Sequence, residues 1–178
     1  MKVVSVFGSA SPKADDPDYL QAEQVGRLLA QAGYAVATGG YVGTMEAVSK
    51  GAAEAGGHVI GVVSDAIEAF RPIAPNPYIT QEIRYATLRE RLLHLVTEND
   101  GAIVLPGGVG TLAELALIWN SLQVNELSPR PVVLLGDLWR RTIETFNDLR
   151  YIKPETFELV IFAETPARAV QQVVDFYG

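Results

Sequence analysis

Gly101-Ala102-Ile103-Val104-Leu105-Pro106-Gly107-Gly108-Val109-Gly110-Thr111-Leu112-Ala113-Glu114 is an apolar run that breaks on glycine and reopens in a helical pattern. A buried parallel strand ending in glycines leaves backbone N–H groups uncovered. The helix behind it turns its positive dipole end and unpaired amides toward any anion that settles there. The stretch therefore reads as a phosphate cradle built from Pro106, Gly107, Gly108, Gly110 and Thr111. Glu114 falls within reach of that anion's neighbour. A carboxylate does nothing for phosphate capture, so its place here points to chemistry on an attached sugar.

The same strand–loop–helix unit recurs along the chain. Lys2–Phe7 is valine-rich, as expected of a strand covered on both faces, and it runs into Gly8-Ser9-Ala10-Ser11-Pro12. Tyr19–Ala32 has helical spacing, with Asp18 as its expected N-cap and Gly33 as its stop. Tyr34–Thr38 reads as a strand, Gly39-Gly40-Tyr41-Val42-Gly43 as a second glycine loop, Thr44–Ala55 as a helix and His58–Val63 as a strand. Pro72, Pro75 and Pro77 make Ala66–Pro77 a surface excursion, helical in part at most and placed to serve as a lid. The spacing predicts a helix over Glu82–Glu98, a strand over Ala102–Leu105 and a long helix from Thr111 to Val124. A strand over Pro131–Leu135, a helix over Leu138–Leu149, an edge strand over Leu159–Phe162 and a closing helix over Pro166–Phe176 complete the chain.

Strands alternating with helices specify an α/β fold, a parallel sheet with helices on both faces and right-handed crossovers. Such sheets bind ligands at the carboxyl ends of their strands. The small-residue loops after Phe7, Thr38 and Leu105 all leave that edge and can converge on one ligand. Any one of them alone is weak evidence, because glycine at such a turn also serves simply to reverse the chain.

Composition narrows the function classes. The 178 residues, 48% of them hydrophobic, suffice for one domain over 1–178 and not for two. No apolar run approaches a membrane span, and Met1–Gly8 breaks too early for a signal peptide, so a cytoplasmic protein is expected. Cysteine is absent, which excludes disulfides, thiolate nucleophiles and Cys-based zinc sites, and His58 and His94 are too far apart in sequence to found a metal site. A net charge of −7 argues against a polynucleotide partner. A mononucleotide needs only local positive charge, which Arg84, Arg89 and Arg91 would supply. The helix from Thr111 is apolar on nearly every side, which calls for a second covering surface. A homodimer is the simplest source, the proline-rich excursion or the last helix the alternatives.

Pro106-Gly107-Gly108-x-Gly110-Thr111-x-x-Glu114 resembles the signature of the LOG family, nucleoside 5′-monophosphate phosphoribohydrolases that activate cytokinins and are often mislabelled lysine decarboxylases. Phe7-Gly8-Ser9-Ala10-Ser11 is similar to the family's first loop, and Gly39-Gly40-Tyr41-Val42-Gly43-Thr44-Met45-Glu46 to its second; the likeness covers most of residues 3–135. It implies a Rossmann-like fold and cleavage of the bond between base and ribose in AMP or a cytokinin nucleotide, with no cofactor and no metal. It places the catalytic arginine at Arg91, in Leu88-Arg89-Glu90-Arg91-Leu92, and makes Glu114 its carboxylate partner. Gly8, Ser9, Gly39, Gly40 and Gly43 join the cradle as nucleotide-binding positions, with Met45 and Arg89 as further lining residues. Leu92 stands where the family has lysine, and the second loop lacks its usual triple glycine.

Other readings compete at each site. Thr111-Leu112-Ala113-Glu114 is also the pattern of a capping box, in which threonine and glutamate satisfy each other's orphan amides. Arg91 would equally lie along an apolar helix face shared with Arg84, Leu88 and Leu95, or pair with Glu98. Ser9 and Ser11 serve as ligand contacts or as caps of the first helix. A similar fold with similar glycine loops occurs in molybdenum-cofactor carrier proteins, which leaves a non-catalytic binding protein as the alternative function. The decarboxylase label fails on chemistry, because pyridoxal phosphate needs a Schiff-base lysine. Lys2, Lys13, Lys50 and Lys153 all lie outside the glycine motif and the arginine segment.

Overall fold

The valine-rich runs form the middle of one sheet. In the computed structural model, which describes residues 1–178, Val3–Phe7 (β1), Ala35–Thr38 (β2), Val59–Ser64 (β3), Gly101–Val104 (β5) and Val132–Leu135 (β6) are buried almost throughout. Gln81–Tyr85 (β4) and Ile161–Ala163 (β7) form the two edges. All seven strands are parallel, in the order β4-β3-β2-β1-β5-β6-β7. This is the expected Rossmann-like α/β arrangement. The chain builds outward from β1 to one edge, returns to the middle and builds outward to the other. The crevice between β1 and β5, where Val4–Phe7 pair with Gly101–Val104, is therefore the switch point where such sheets hold ligands.

Helices Pro17–Gln31 (α1), Thr44–Glu54 (α2) and Pro166–Tyr177 (α8) cover one face through Val25, Leu29, Val48, Val170 and Val173. Leu88–Thr97 (α4), Val109–Gln123 (α5) and Asp137–Phe146 (α6) cover the other through Leu95, Leu115, Ile118, Trp119 and Ile143. Asp65–Phe70 (α3) and Pro154–Phe157 (α7) are short. No helix is long and apolar enough to cross a membrane.

Several local expectations are corrected. The predicted helix over Glu82–Glu98 is in fact the edge strand β4 followed, after two residues, by α4, so Arg84 shares no helix face with Arg91. It sits on the edge strand, bound to Asp65, Glu68 and Glu82. The N-cap of α1 is Asp16 rather than Asp18, and neither Ser9 nor Ser11 caps that helix; the Ser9 hydroxyl accepts the Ser11 N–H at 3.1 Å. The proline-rich excursion is pinned rather than free. Buried Asn76 donates its amide N–H to Gly40 O (2.8 Å) and its side chain to Tyr41 O (3.1 Å) and Ser49 Oγ (3.3 Å). It therefore does not reach α5, and α8 lies on the opposite face, so neither covers the outer side of α5. Val109, Leu112, Ala113 and Ala116 remain exposed there.

Candidate functional site

The three loops meet at the switch point. The Thr44 amide and hydroxyl both donate to Ser9 O, at 2.9 and 3.0 Å, tying the loop after β1 to the loop after β2. Gly8 makes this closeness feasible, since a Cβ there would strike the Thr44 hydroxyl. On the other flank Leu105 donates to Phe7 O (2.8 Å), while the Trp139 indole donates to Leu105 O (2.8 Å) and fixes the point where the chain enters the cradle.

Beyond Leu105 the glycines let the helix begin early. The cap of α5 is Gly108, Val109 is its first residue, and Leu112 is the first amide to find a helical acceptor, Gly108 O at 3.0 Å. The amides of Gly107 through Thr111 find no acceptor in the protein. That is the N-terminal anion site expected of such a helix. Thr111 is then the third residue of α5, not its cap, and no hydrogen bond joins it to Glu114. The capping-box pattern is realised elsewhere, at Thr87 and Glu90.

Glu114 is 8% exposed and makes no hydrogen bond with the protein. What remains accessible of it lines a cavity of about 260 Å³ together with Gly8, Ser9, Met45, Arg91 and Thr111. Burial pushes its carboxyl up to about 7, and the nearby Arg91 charge pulls the other way. Arg91 is 6% exposed. Its Nε donates to Val62 O (2.7 Å) and one terminal nitrogen to Gly39 O (3.0 Å), leaving the other terminal nitrogen without a protein partner. Met45 Sδ lies 3.9 Å from the guanidinium, and the Tyr41 ring sits behind it at 5.9 Å. Burial lowers the arginine's pKa, while Glu114 and Tyr41 oppose that. Arg91 forms no ion pair with Glu98 and does not run along the surface, so its position is that of a cavity residue.

Gly8, Ser9, Met45, Arg91, Gly108, Gly110, Thr111 and Glu114 are thus brought together around one cavity, as the sequence led us to expect. Ala10 joins them without having been singled out; its small side chain carries no chemical signal. Gly43 lines an adjoining cleft instead. Gly39, Gly40, Pro106 and Gly107 are not in the cavity lining; Gly39 acts through its carbonyl, which holds Arg91. Arg84 and Arg89 are absent from the lining, so the local positive charge comes from Arg91 and the helix end. No lysine lines the cavity, and no group of three or more His, Asp or Glu side chains is placed to hold a metal.

Comparison with known proteins gives consistent findings. A family model described as possible lysine decarboxylase matches residues 45–173. The cytokinin riboside 5′-monophosphate phosphoribohydrolase of Arabidopsis thaliana is 31% identical over 180 residues, spanning 97% of this chain and 77% of its own. The enzyme of the same name from Mycobacterium tuberculosis is 30% identical over 175 residues, 94% of this chain and 91% of its own. Among solved structures, the molybdenum cofactor binding protein of Rippkaea orientalis superposes with a TM-score of 0.78 at 25% identity, covering 99% of this chain and 98% of its own.

Proposed function

This chain belongs to the LOG family of phosphoribohydrolases, and from that membership we propose that it hydrolyses the N-glycosidic bond of a nucleoside 5′-monophosphate, AMP or a cytokinin nucleotide, to free base and ribose 5-phosphate. The observation that carries the reading is the buried Glu114 carboxyl, which has no hydrogen-bond partner in the protein and faces a cavity beside unpaired amides. A binding protein gains nothing from such a group, because burying it costs stability.

In this reading the amides of Gly107–Thr111 and the Thr111 hydroxyl hold the 5′-phosphate. Binding energy from that remote group places the ribose over Glu114. As the bond from C1′ to the base breaks, its electron pair leaves with the base nitrogen and positive charge grows on the sugar. The Glu114 carboxylate stabilises that charge and takes a proton from the water whose oxygen bonds to C1′, while the departing base nitrogen takes up a proton from solvent and Glu114 later gives its own back. Arg91, held by the Val62 and Gly39 carbonyls, turns its free terminal nitrogen toward the nucleotide and favours the ionised carboxylate against the effect of burial.

The second reading, a non-catalytic nucleotide or molybdenum-cofactor carrier, is favoured by the Rippkaea orientalis likeness. Incubation with AMP and chromatography for adenine separates the two. Free adenine formed by the parent protein and absent with Glu114→Gln supports the hydrolase; tight ligand binding with no release of base supports the carrier. We also propose a cytoplasmic, single-domain protein that pairs as a homodimer through the uncovered face of α5, where Leu112 is 45% exposed. Sedimentation of the Leu112→Asp variant as a monomer, against a dimeric parent, tests that assembly.

A further inference from the structure

Beside the catalytic cavity lies a second cleft of about 530 Å³, and the two share Ala10. Met45 lines one and its neighbour Glu46 the other, on the two sides of the Ser9–Thr44 contact. Size already assigns the cleft a part. Sites that enclose small ligands run from roughly 300 to 1,000 Å³, and the catalytic cavity alone, about 260 Å³, lies just below that range. With phosphate and ribose placed over α5, the leaving base has the adjoining cleft to occupy.

The cleft sets three charged side chains, Lys13, Glu46 and Arg71, among the small apolar residues Ala10, Pro12, Ala14 and Val42. Lys13, from the loop after β1, and Arg71, the residue that ends α3, approach it from separate parts of the chain. Glu46 is its one carboxylate. Tyr19, 5% exposed, lines it with a hydroxyl that has no hydrogen-bond partner in the protein. In a chain of net charge −7 the cations elsewhere are mostly bound to carboxylates, among them Lys2, Arg27, Lys50, Arg84, Arg140, Arg141 and Arg150. Lys13 and Arg71 form no ion pair. Arg71 is also held in place. Its amide donates to Ile67 O (2.8 Å), and the helix it ends is tied down by Arg84 through Asp65 and Glu68.

We infer that this cleft receives the leaving group, and that Lys13 and Arg71 select a base bearing a carboxylate substituent over one bearing an alkyl tail. The inference rests on the nucleotide reading above and names its substrate class. The Asp16 carboxylate is turned onto the Lys13 backbone N–H (2.7 Å) and leaves the Lys13 side chain unpaired, so Lys13 and Arg71 can attract an anionic substituent, to which the unpaired Tyr19 hydroxyl offers a donor. An alkyl tail would strip water from three charged groups and return little for it.

Three adenine nucleotides test this: AMP, AMP carrying a 1,2-dicarboxyethyl group on its exocyclic nitrogen, and AMP carrying an isopentenyl group there. The parent protein is expected to show the highest kcat/KM for the dicarboxylate and the lowest for the isopentenyl nucleotide. In a Lys13→Ala/Arg71→Ala double variant the ratio of dicarboxylate to AMP should fall about tenfold, the size expected of two solvent-exposed charge contacts. It should invert in Lys13→Glu/Arg71→Glu, and the parent's preference should shrink as ionic strength rises. Dissociation constants measured on the Glu114→Gln protein give the same ratios independently of turnover. If no nucleotide is hydrolysed but binding still prefers the dicarboxylate through Lys13 and Arg71, the subsite stands and the hydrolase reading falls. If AMP yields adenine while both ratios ignore the double variant, or if the isopentenyl nucleotide is preferred, the subsite is overturned.

Discussion

The loop after β2 and the loop after β5 are both glycine-rich, both leave the same edge of the sheet and both precede a helix, yet their glycines answer to different demands. At Gly39 an added Cβ would collide with the Arg91 guanidinium; at Gly40 (φ +80°) it would strike Val63, and at Gly43 (φ +71°) the Ser9 carbonyl. That loop is bare because the protein's own atoms fill the space. In the second loop Gly107 is closed off in the same way, by the Thr111 side chain, but at Gly108 and Gly110 an added Cβ would meet nothing within 4 Å, and neither residue has a positive φ. Nothing in the chain forbids a side chain there. The first amide of α2, that of Thr44, is likewise taken by Ser9 O, whereas the first amide of α5, that of Val109, is free. One loop is shaped around Arg91, while the other keeps open space and free amides at Gly108 and Gly110, where the proposed phosphate would sit.

The largest effect expected from this division is at Glu114, the acidic group that the second loop carries toward the cavity. Glu114→Gln should lower turnover about 10²- to 10⁴-fold, the span of a lost general base. In the parent, kcat/KM should rise with pH through a midpoint near 7, because the working form is the carboxylate and burial has lifted its pKa to about 7. A profile that falls across that range would make Glu114 an acid and break the mechanism. Stability should move the opposite way. An unfolded glutamate titrates near ~4.3, so the folded chain holds the extra proton between that value and about 7 and is favoured there. The advantage is complete below the unfolded pKa and disappears as pH rises through the folded one. By pH 8 the buried charge costs on the order of 3 kcal/mol, with the attraction of Arg91 already contained in that shift. Glu114→Gln should therefore melt on the order of 10 °C above the parent at pH 8, with the gap closing toward pH 5 in a thermal melt series.

Next comes the first loop. Gly39→Ala drives a methyl group into the Arg91 guanidinium, and overpacking of this kind costs about 1–3 kcal/mol. Activity should fall with stability, since the displaced guanidinium loses its hold on Gly39 O. A Gly39→Ala protein of parental Tm and parental kcat/KM would erase the distinction between the loops.

What the sequence displayed of this arrangement follows from burial. Strands covered on both faces announce themselves as valine runs, which is why β1, β2, β3, β5 and β6 could be read. β4 could not. Gln81-Glu82-Ile83-Arg84-Tyr85 is an exposed edge on which only Ile83 and Tyr85 are half-buried, and its charges blend into the helical pattern that follows. The ambiguity at Glu114 has a similar origin. Thr87-Leu88-Arg89-Glu90 and Thr111-Leu112-Ala113-Glu114 are the same Thr-x-x-Glu pattern, yet only the first is a capping box. The difference lies upstream. Gly107-Gly108 lets α5 start at Val109, which carries Thr111 past the capping position and frees Glu114 to face the cavity. Arg91 and Glu114, the loops that converge on them and the parallel sheet beneath were all legible. The cleft of Lys13 and Arg71 was not, because it joins residues 58 positions apart that share no motif.

The smallest effect is the sharpest test of the comparison, because its two halves have opposite signs. Gly110 is the second residue of α5 with open space around it. Alanine there removes backbone entropy from the unfolded chain and favours the helix, a gain of about 0.5–1 kcal/mol. In a chain of this size that is a rise in Tm of roughly 2–3 °C. The same methyl group occupies the space next to the free amides, so KM for AMP should rise while the fold tightens. Gly40→Ala, at a positive φ against Val63, should lose stability instead. If Gly110→Ala gains stability and keeps the parental KM, the open space at the head of α5 is not where the phosphate sits, and the cradle must be sought elsewhere along the switch-point crevice.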